Sequence, residues 1–262
     1  MSPARSRFAV VAAVLLAAVA AVVLAVLAVG RVPVRPDDVG TALPTGSRAP
    51  ATRVAAVPSS PPADYTVCVQ PLGEHDGALT EPIGRGIAQA YGFRVRTLPP
   101  RPLPAAAWYP ARSRHRADAL LEHLLFDVLP GAEGCHAVLG LTGVDISATR
   151  GEHFDWGVLG LAFFGQRVAV VSSFRLRAGV DQRGVAVRAV KVAIHELGHV
   201  AGVPHRDDGP ACVMNDALGA VATIDRAQGA LCAPERADAE RYLGRPLPVR
   251  DTLDWRKILD GD

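Results

Sequence analysis

Apolar positions fall along this chain in three regimes. From Phe8 to Val29 they run unbroken for about 22 residues, close to the about 20 helical residues that a bilayer core of about 30 Å requires. From Gly30 to Pro62 the chain is rich in Pro, Ala, Ser, Thr and Arg without a period, which predicts a flexible stalk with no core of its own. Beyond it, strand and helix periods alternate. Tyr65 to Gln70, Phe93 to Leu98 and His136 to Leu141 read as strands, with helices at Leu79 to Tyr91 and Arg116 to Leu129 between them. Val158 to Phe164 and Arg167 to Phe174, separated by Gly165-Gln166, read as a hairpin. Val185 to Ala201 follows as a helix with a buried stripe of Val185, Ala189, Val192, Ala193 and Leu197. The remainder reads as mostly loops with one helix near Pro234 to Leu243, and the Pro-rich stretch Leu98 to Pro110 as a surface loop. Strands alternating with helices predict an α/β (α+β) fold on a mostly parallel, twisted sheet.

The amino-terminal run, behind Arg5 and Arg7, exceeds the roughly 7–15 residues of a cleaved signal's apolar core. Residues 1–30 are therefore expected to form a transmembrane anchor, 31–62 a linker, and 63–262 one domain of about 200 residues, enough for a substantial core. Cleavage after Ala28 is the alternative and would secrete the domain. Both readings put it outside the cytoplasm, where Cys68, Cys135, Cys212 and Cys232 can form disulfides. Four cysteines permit three pairings, and spacing alone does not choose among them.

Candidate chemistry concentrates between His195 and His205. Residues four apart on a helix share a face about 6 Å apart, so His195 and His199 can reach one metal ion, with Glu196 beside it. His205, six residues past His199, can join them only if the helix stops and the chain turns back. Gly202 supplies that stop, since glycine takes the left-handed conformation at low cost, and Pro204 discourages resumption. Three protein ligands with an open fourth position are the arrangement of a catalytic Zn2+. Such an ion lowers the pKa of water from about 15.7 to about 7, which suits Glu196 to act as general base in attack on a peptide bond. The pattern is the extended zinc motif of metzincins, which place a methionine turn beneath the histidines. Met214 is the chain's sole methionine besides the initiator and is the candidate for that turn.

From the zinc motif through Cys212-Val213-Met214 to Cys232 the chain resembles the archaemetzincins. Val138 to Asp145, Gly157 to Ala162 and Val168 to Leu176 look like that family's strands before the active helix. The resemblance implies a metzincin-like fold, with an active-site helix and a loop-rich carboxy-terminal subdomain carrying the Met-turn. It also implies a peptidase or aminopeptidase that takes an extended substrate against an edge strand, and a second, structural zinc held by four cysteines. This chain departs from the last point: Arg206 and Glu235 stand where the family has cysteine. Two thiolates make a poor closed site, so one catalytic zinc is expected and a second is not. The resemblance then favours a Cys212–Cys232 disulfide in place of the lost zinc, adding about 3 kcal/mol by the chain-entropy estimate, and leaves Cys68 to pair with Cys135.

Composition narrows the partners. A net charge of +2 and only two lysines, Lys191 and Lys257, do not indicate a nucleic-acid binder. The expected partners are a peptide or protein substrate and, through the amino-terminal helix, a membrane; the chain is expected to be a monomer. Arg112, Arg114 and Arg116 read as a solvated face, and His75, His115, His123, His136 and His153 lack ligand spacing. Asp207 and Asp208 read as a solvated turn, with orientation of His205 as the lesser alternative. The rival function is a non-catalytic zinc-binding or interaction domain, against which Glu196 argues, since a structural zinc needs no such carboxylate.

Overall fold

A computed structural model describes residues 64–262 apart from 207–208 and 210–211, so the expected anchor, the linker, Asp207 and Asp208 lie outside the described residues. Among the described residues no helix is long and apolar enough to cross a membrane.

Three strands with almost no exposed position form the centre: β1 (Thr66–Pro71), β5 (Ala137–Thr142) and β9 (Val168–Ser172). Such continuous apolar runs are what a parallel sheet covered on both faces requires. With β2 (Arg94–Thr97) and β8 (Gly160–Ala162) they make a sheet of order β2-β1-β5-β9-β8, parallel except for the antiparallel β8–β9 pair. Alternate residues feed two cores. Val67, Val69, Leu139 and Val171 face helices α1 (Thr80–Tyr91) and α3 (Gln182–Val200), while Val138, Val168 and Val170 pack with α2 (Ala117–His123). The expected α/β fold and mostly parallel main sheet are what the chain forms.

Several boundaries differ from expectation for identifiable reasons. The helix expected over Arg116 to Leu129 is regular only to His123, then widens into a π turn at Leu124–Val128 and tightens into a 3-10 turn at Leu129–Gly131, where Pro130 cannot continue it. The β8–β9 pair is joined by residues 163–167 rather than by Gly165-Gln166 alone, and Val158 ends a different strand. That strand, β7 (His153–Val158), belongs to a second, unforeseen sheet of order β3-β4-β6-β7, with β3 (Trp108–Tyr109), β4 (Arg114–Arg116) and β6 (Ile146–Arg150). Its strands are short and rich in Arg, which hid them.

Two further corrections follow from that sheet. The supposed loop Leu98 to Pro110 contributes β3, and of the three arginines expected on a solvated face only Arg112 is exposed. Arg114 contacts Asp145 and Asp155 at 3.1 Å each, and buried Arg116 donates to Asp118, Thr149 and the Phe154 carbonyl. Past α3 come three helices where one was expected: α4 (Val221–Arg226), α5 (Ala233–Leu243) and α6 (Trp255–Asp260). Two of them are too short to show a period in sequence.

Candidate metal centre

Helix α3 starts on Asp181, whose side chain accepts from the Gly184 N–H at 2.8 Å, and is pinned midway by Arg188. That buried guanidinium donates to both oxygens of Asp225 and to the Leu176 and Ala178 carbonyls. At its end the Gly202 N–H donates to His199 O at 3.0 Å and the Val203 N–H to Gly198 O at 2.9 Å, a Schellman closure with Gly202 at φ +73°. The turn reverses the chain so that His205 comes back over the helix face.

The three imidazoles converge. Nε2 of His205 lies 3.2 Å from Nε2 of His195 and 3.1 Å from that of His199. His195 Nδ1 sits 2.7 Å from Val213 O and His199 Nδ1 2.8 Å from Val203 O. A carbonyl only accepts, so in both rings Nδ1 carries the proton and Nε2 keeps its lone pair. Protonating Nε2 as well, which would charge the ring, is opposed chiefly by burial, which brings His195 down to about 3 and His199 to about 4. Burial also lowers His205, with Asp216 working against the shift.

The Nε2 lone pairs of His195 and His199 therefore both face Nε2 of His205, and with His205 unprotonated at that atom the three lone pairs converge on a point that a cation can fill. A zinc about 2.0–2.1 Å from each nitrogen holds tetrahedral ligands about 3.3 Å apart, close to the separations seen. The donor set thus fits Zn2+, with both helical rings oriented through their outer nitrogens.

Glu196 is buried, and burial pushes its carboxyl up to about 8. It lines, with the three histidines, a cleft of about 540 Å³ whose apolar wall includes Leu161, Val192, Ala217 and Ile224. One side of the cleft is β8, and there Gly160 passes so close that a Cβ would lie 2.6 Å from Glu196 Oε1. Met214, fully buried, packs its sulfur against Gly198 beneath the histidines.

Cysteine chemistry lies next door. The structure joins Cys212 to Cys232, the pair that the resemblance favoured, and Cys68 to Cys135, the pair left over, with Cα separations of 5.4 and 5.7 Å. Glu235 also lies beside Cys212 and Cys232, but the sulfurs are bonded to each other and the carboxylate is engaged. Its Oε1 accepts from the Met214 N–H at 2.9 Å and its Oε2 from the Cys232 N–H at 2.8 Å. Arg206 reaches Asp238 at 2.6 Å.

Sequence reading missed the carboxylate that faces His205. Asp216 Oδ2 lies 3.7 Å from His205 Nδ1, while Arg150 Nη2 donates to the same oxygen at 2.6 Å. Burial alone would raise the Asp216 carboxyl, but hydrogen bonds from Arg150 and the Leu218 N–H outweigh it and hold it below the usual range. Position 216 gave one weak signal, an acid two residues after Met214; Arg150 gave none.

No family model matches the chain. An archaemetzincin from Methanocaldococcus jannaschii is 31% identical over 154 residues, covering 57% of this chain and 79% of that protein. One from Archaeoglobus fulgidus is 30% identical over 176 residues, covering 67% and 99%. Crystal structures agree: the Archaeoglobus fulgidus archaemetzincin complexed with malonate superposes with TM-score 0.56 at 27% identity, covering 66% of this chain and 99% of that one. The Methanopyrus kandleri archaemetzincin gives 0.59 at 29% identity, covering 70% and 97%.

Proposed function

Because the chain belongs to the archaemetzincins and is a zinc-dependent peptidase, we propose that Glu196 is its general base beside one zinc ion held by His195, His199 and His205, in a domain that an amino-terminal anchor displays outside the cytoplasm. The observation that carries this reading is the buried carboxylate in the cleft shared with three converging imidazoles. A buried carboxylate is costly unless a charge or a proton offsets it, and a purely structural metal site has no use for one.

When bound, zinc supplies a Lewis acid that brings water to a pKa of about 7 and polarises the scissile carbonyl. Glu196 takes a proton from the water as its oxygen bonds to the carbonyl carbon, then passes that proton to the nitrogen as the C–N bond breaks. Strand β8 has β9 on one side only, so its other edge can pair with an extended substrate across the cleft. The side chain missing at Gly160 leaves room for the Glu196 carboxylate beside that edge.

The bonded Cys212 and Cys232 support a count of one zinc, since neither sulfur is a free thiolate. Two disulfides support an oxidising location, and the apolar run from Phe8 to Val29 supports the anchor.

The test is zinc content and peptide-library cleavage by the full chain and its Glu196→Gln variant. Both are expected to hold one zinc, with hydrolysis falling about 10²–10⁴-fold in the variant. Undiminished cleavage by Glu196→Gln sinks the general-base role, and a zinc-loaded wild type that cleaves nothing favours a non-catalytic domain. Digestion of the domain by protease added to intact cells tests its placement.

A further inference from the structure

We propose that Asp216, held by Arg150, is the positioning residue for His205 and sets how tightly the domain keeps its metal. This rests on the zinc reading above and goes beyond it, because it names the residues that make the third ligand competent. His195 and His199 are fixed twice, by the rigid helix they stand on and by the carbonyls of Val213 and Val203. His205 has neither support. It stands on irregular chain past the helix, its side chain is 45% exposed, and the group facing its Nδ1 is a carboxylate.

That carboxylate is itself immobilised. Arg150 donates to Asp216 Oδ2 at 2.6 Å and Oδ1 at 3.4 Å, and the Leu218 N–H donates to Oδ1 at 2.9 Å. Leu218 closes this small turn at φ +50°, a conformation that few non-glycine residues adopt and that surrounding structure must hold. Arg150 ends β6, so the clamp ties the segment after Met214 to the second sheet.

The physical effect is orientational. At 3.7 Å the contact is longer than a hydrogen bond, and the anion acts by attracting the Nδ1–H dipole. That turns the Nε2 lone pair toward the nitrogens of His195 and His199. A carboxylate behind an imidazole ligand also raises its basicity and fixes its tautomer. Arg150 keeps Asp216 from swinging into the cleft, which both residues line.

The experiment measures zinc affinity of the full chain by competition with a chelating dye. Asp216→Asn, which keeps shape and loses charge, is expected to bind zinc about 10–100-fold more weakly, with Asp216→Glu recovering part of the loss. Arg150→Met should weaken binding less, and the double variant should be no worse than Asp216→Asn alone. In a His205→Ala background, Asp216→Asn should change the residual affinity no further, a result that a merely structural role would not give. With zinc saturating, kcat should fall while KM holds within about twofold. Wild-type affinity in Asp216→Asn, or an undiminished effect without His205, overturns this inference and leaves the peptidase reading standing. A wild type that takes up no zinc overturns both. If Asp216→Asn misfolds, Arg150→Met and its effect in the His205→Ala background decide.

Discussion

The histidine site and the Cys212–Cys232 corner share the residues Cys212 to Met214, yet keep the pattern expected of the family to different extents. The Val213 carbonyl orients His195, the Met214 N–H is held by Glu235, and Cys212 is bonded to Cys232. At the first site every donor of the metzincin motif is present. At the second, the resemblance leads one to expect four cysteines, and the chain has a disulfide, a buried carboxylate and an Arg206–Asp238 ion pair. A metal that does chemistry needs particular electron pairs at particular distances. A clip needs only to hold chain segments together, and covalent, hydrogen-bonded and ionic contacts can all do that.

This contrast can be attacked from the clip's side. Replacing both Cys212 and Cys232 by serine should have the largest effect, a loss of about 2–4 kcal/mol in unfolding free energy, read by denaturant titration, with one zinc per chain retained. Loss of the zinc instead would show that the two sites are one. Glu235→Gln keeps the shape but turns one accepting oxygen into an NH2, so one of the Met214 and Cys232 N–H groups loses its acceptor, which should cost about 1–3 kcal/mol. The smallest effect is expected from Arg206→Ala, about 0–1 kcal/mol and less at high salt. Its partner Asp238 is held below the usual carboxylate range by a hydrogen bond from Arg241 and then by Arg206. A depressed folded pKa stabilises above the unfolded value of about 3.9 and is lost as pH falls through the folded value. Asp238→Asn should therefore flatten part of the acid limb of a stability-versus-pH curve, and an unchanged limb would remove the pair from the account.

Legibility followed the range of the interactions. The buried runs of β1, β5 and β9 and the stripe of α3 were visible because each is covered along its length, so burial prints a local pattern. The second sheet was not, because Arg114 and Arg116 lie in its strand β4 and meet Asp145, Asp155, Asp118, Thr149 and the Phe154 carbonyl only after folding. Charge in sequence looks like solvent exposure until its partners arrive. Arg188 illustrates the same limit: a buried arginine on the active helix made tolerable by Asp225, 37 residues away.

By itself the sequence determined how three imidazoles and a carboxylate come together, because His195, Glu196, His199, Gly202 and His205 are set by the pitch of one helix and the turn that ends it, distances that a dozen residues settle locally. Only the tertiary structure decided what surrounds them: Gly160 against Glu196, Glu235 under Met214, and Asp216 with Arg150 behind His205. Those partners are brought together by the packing of separate elements, and no spacing along the chain encodes a contact that only the finished core creates.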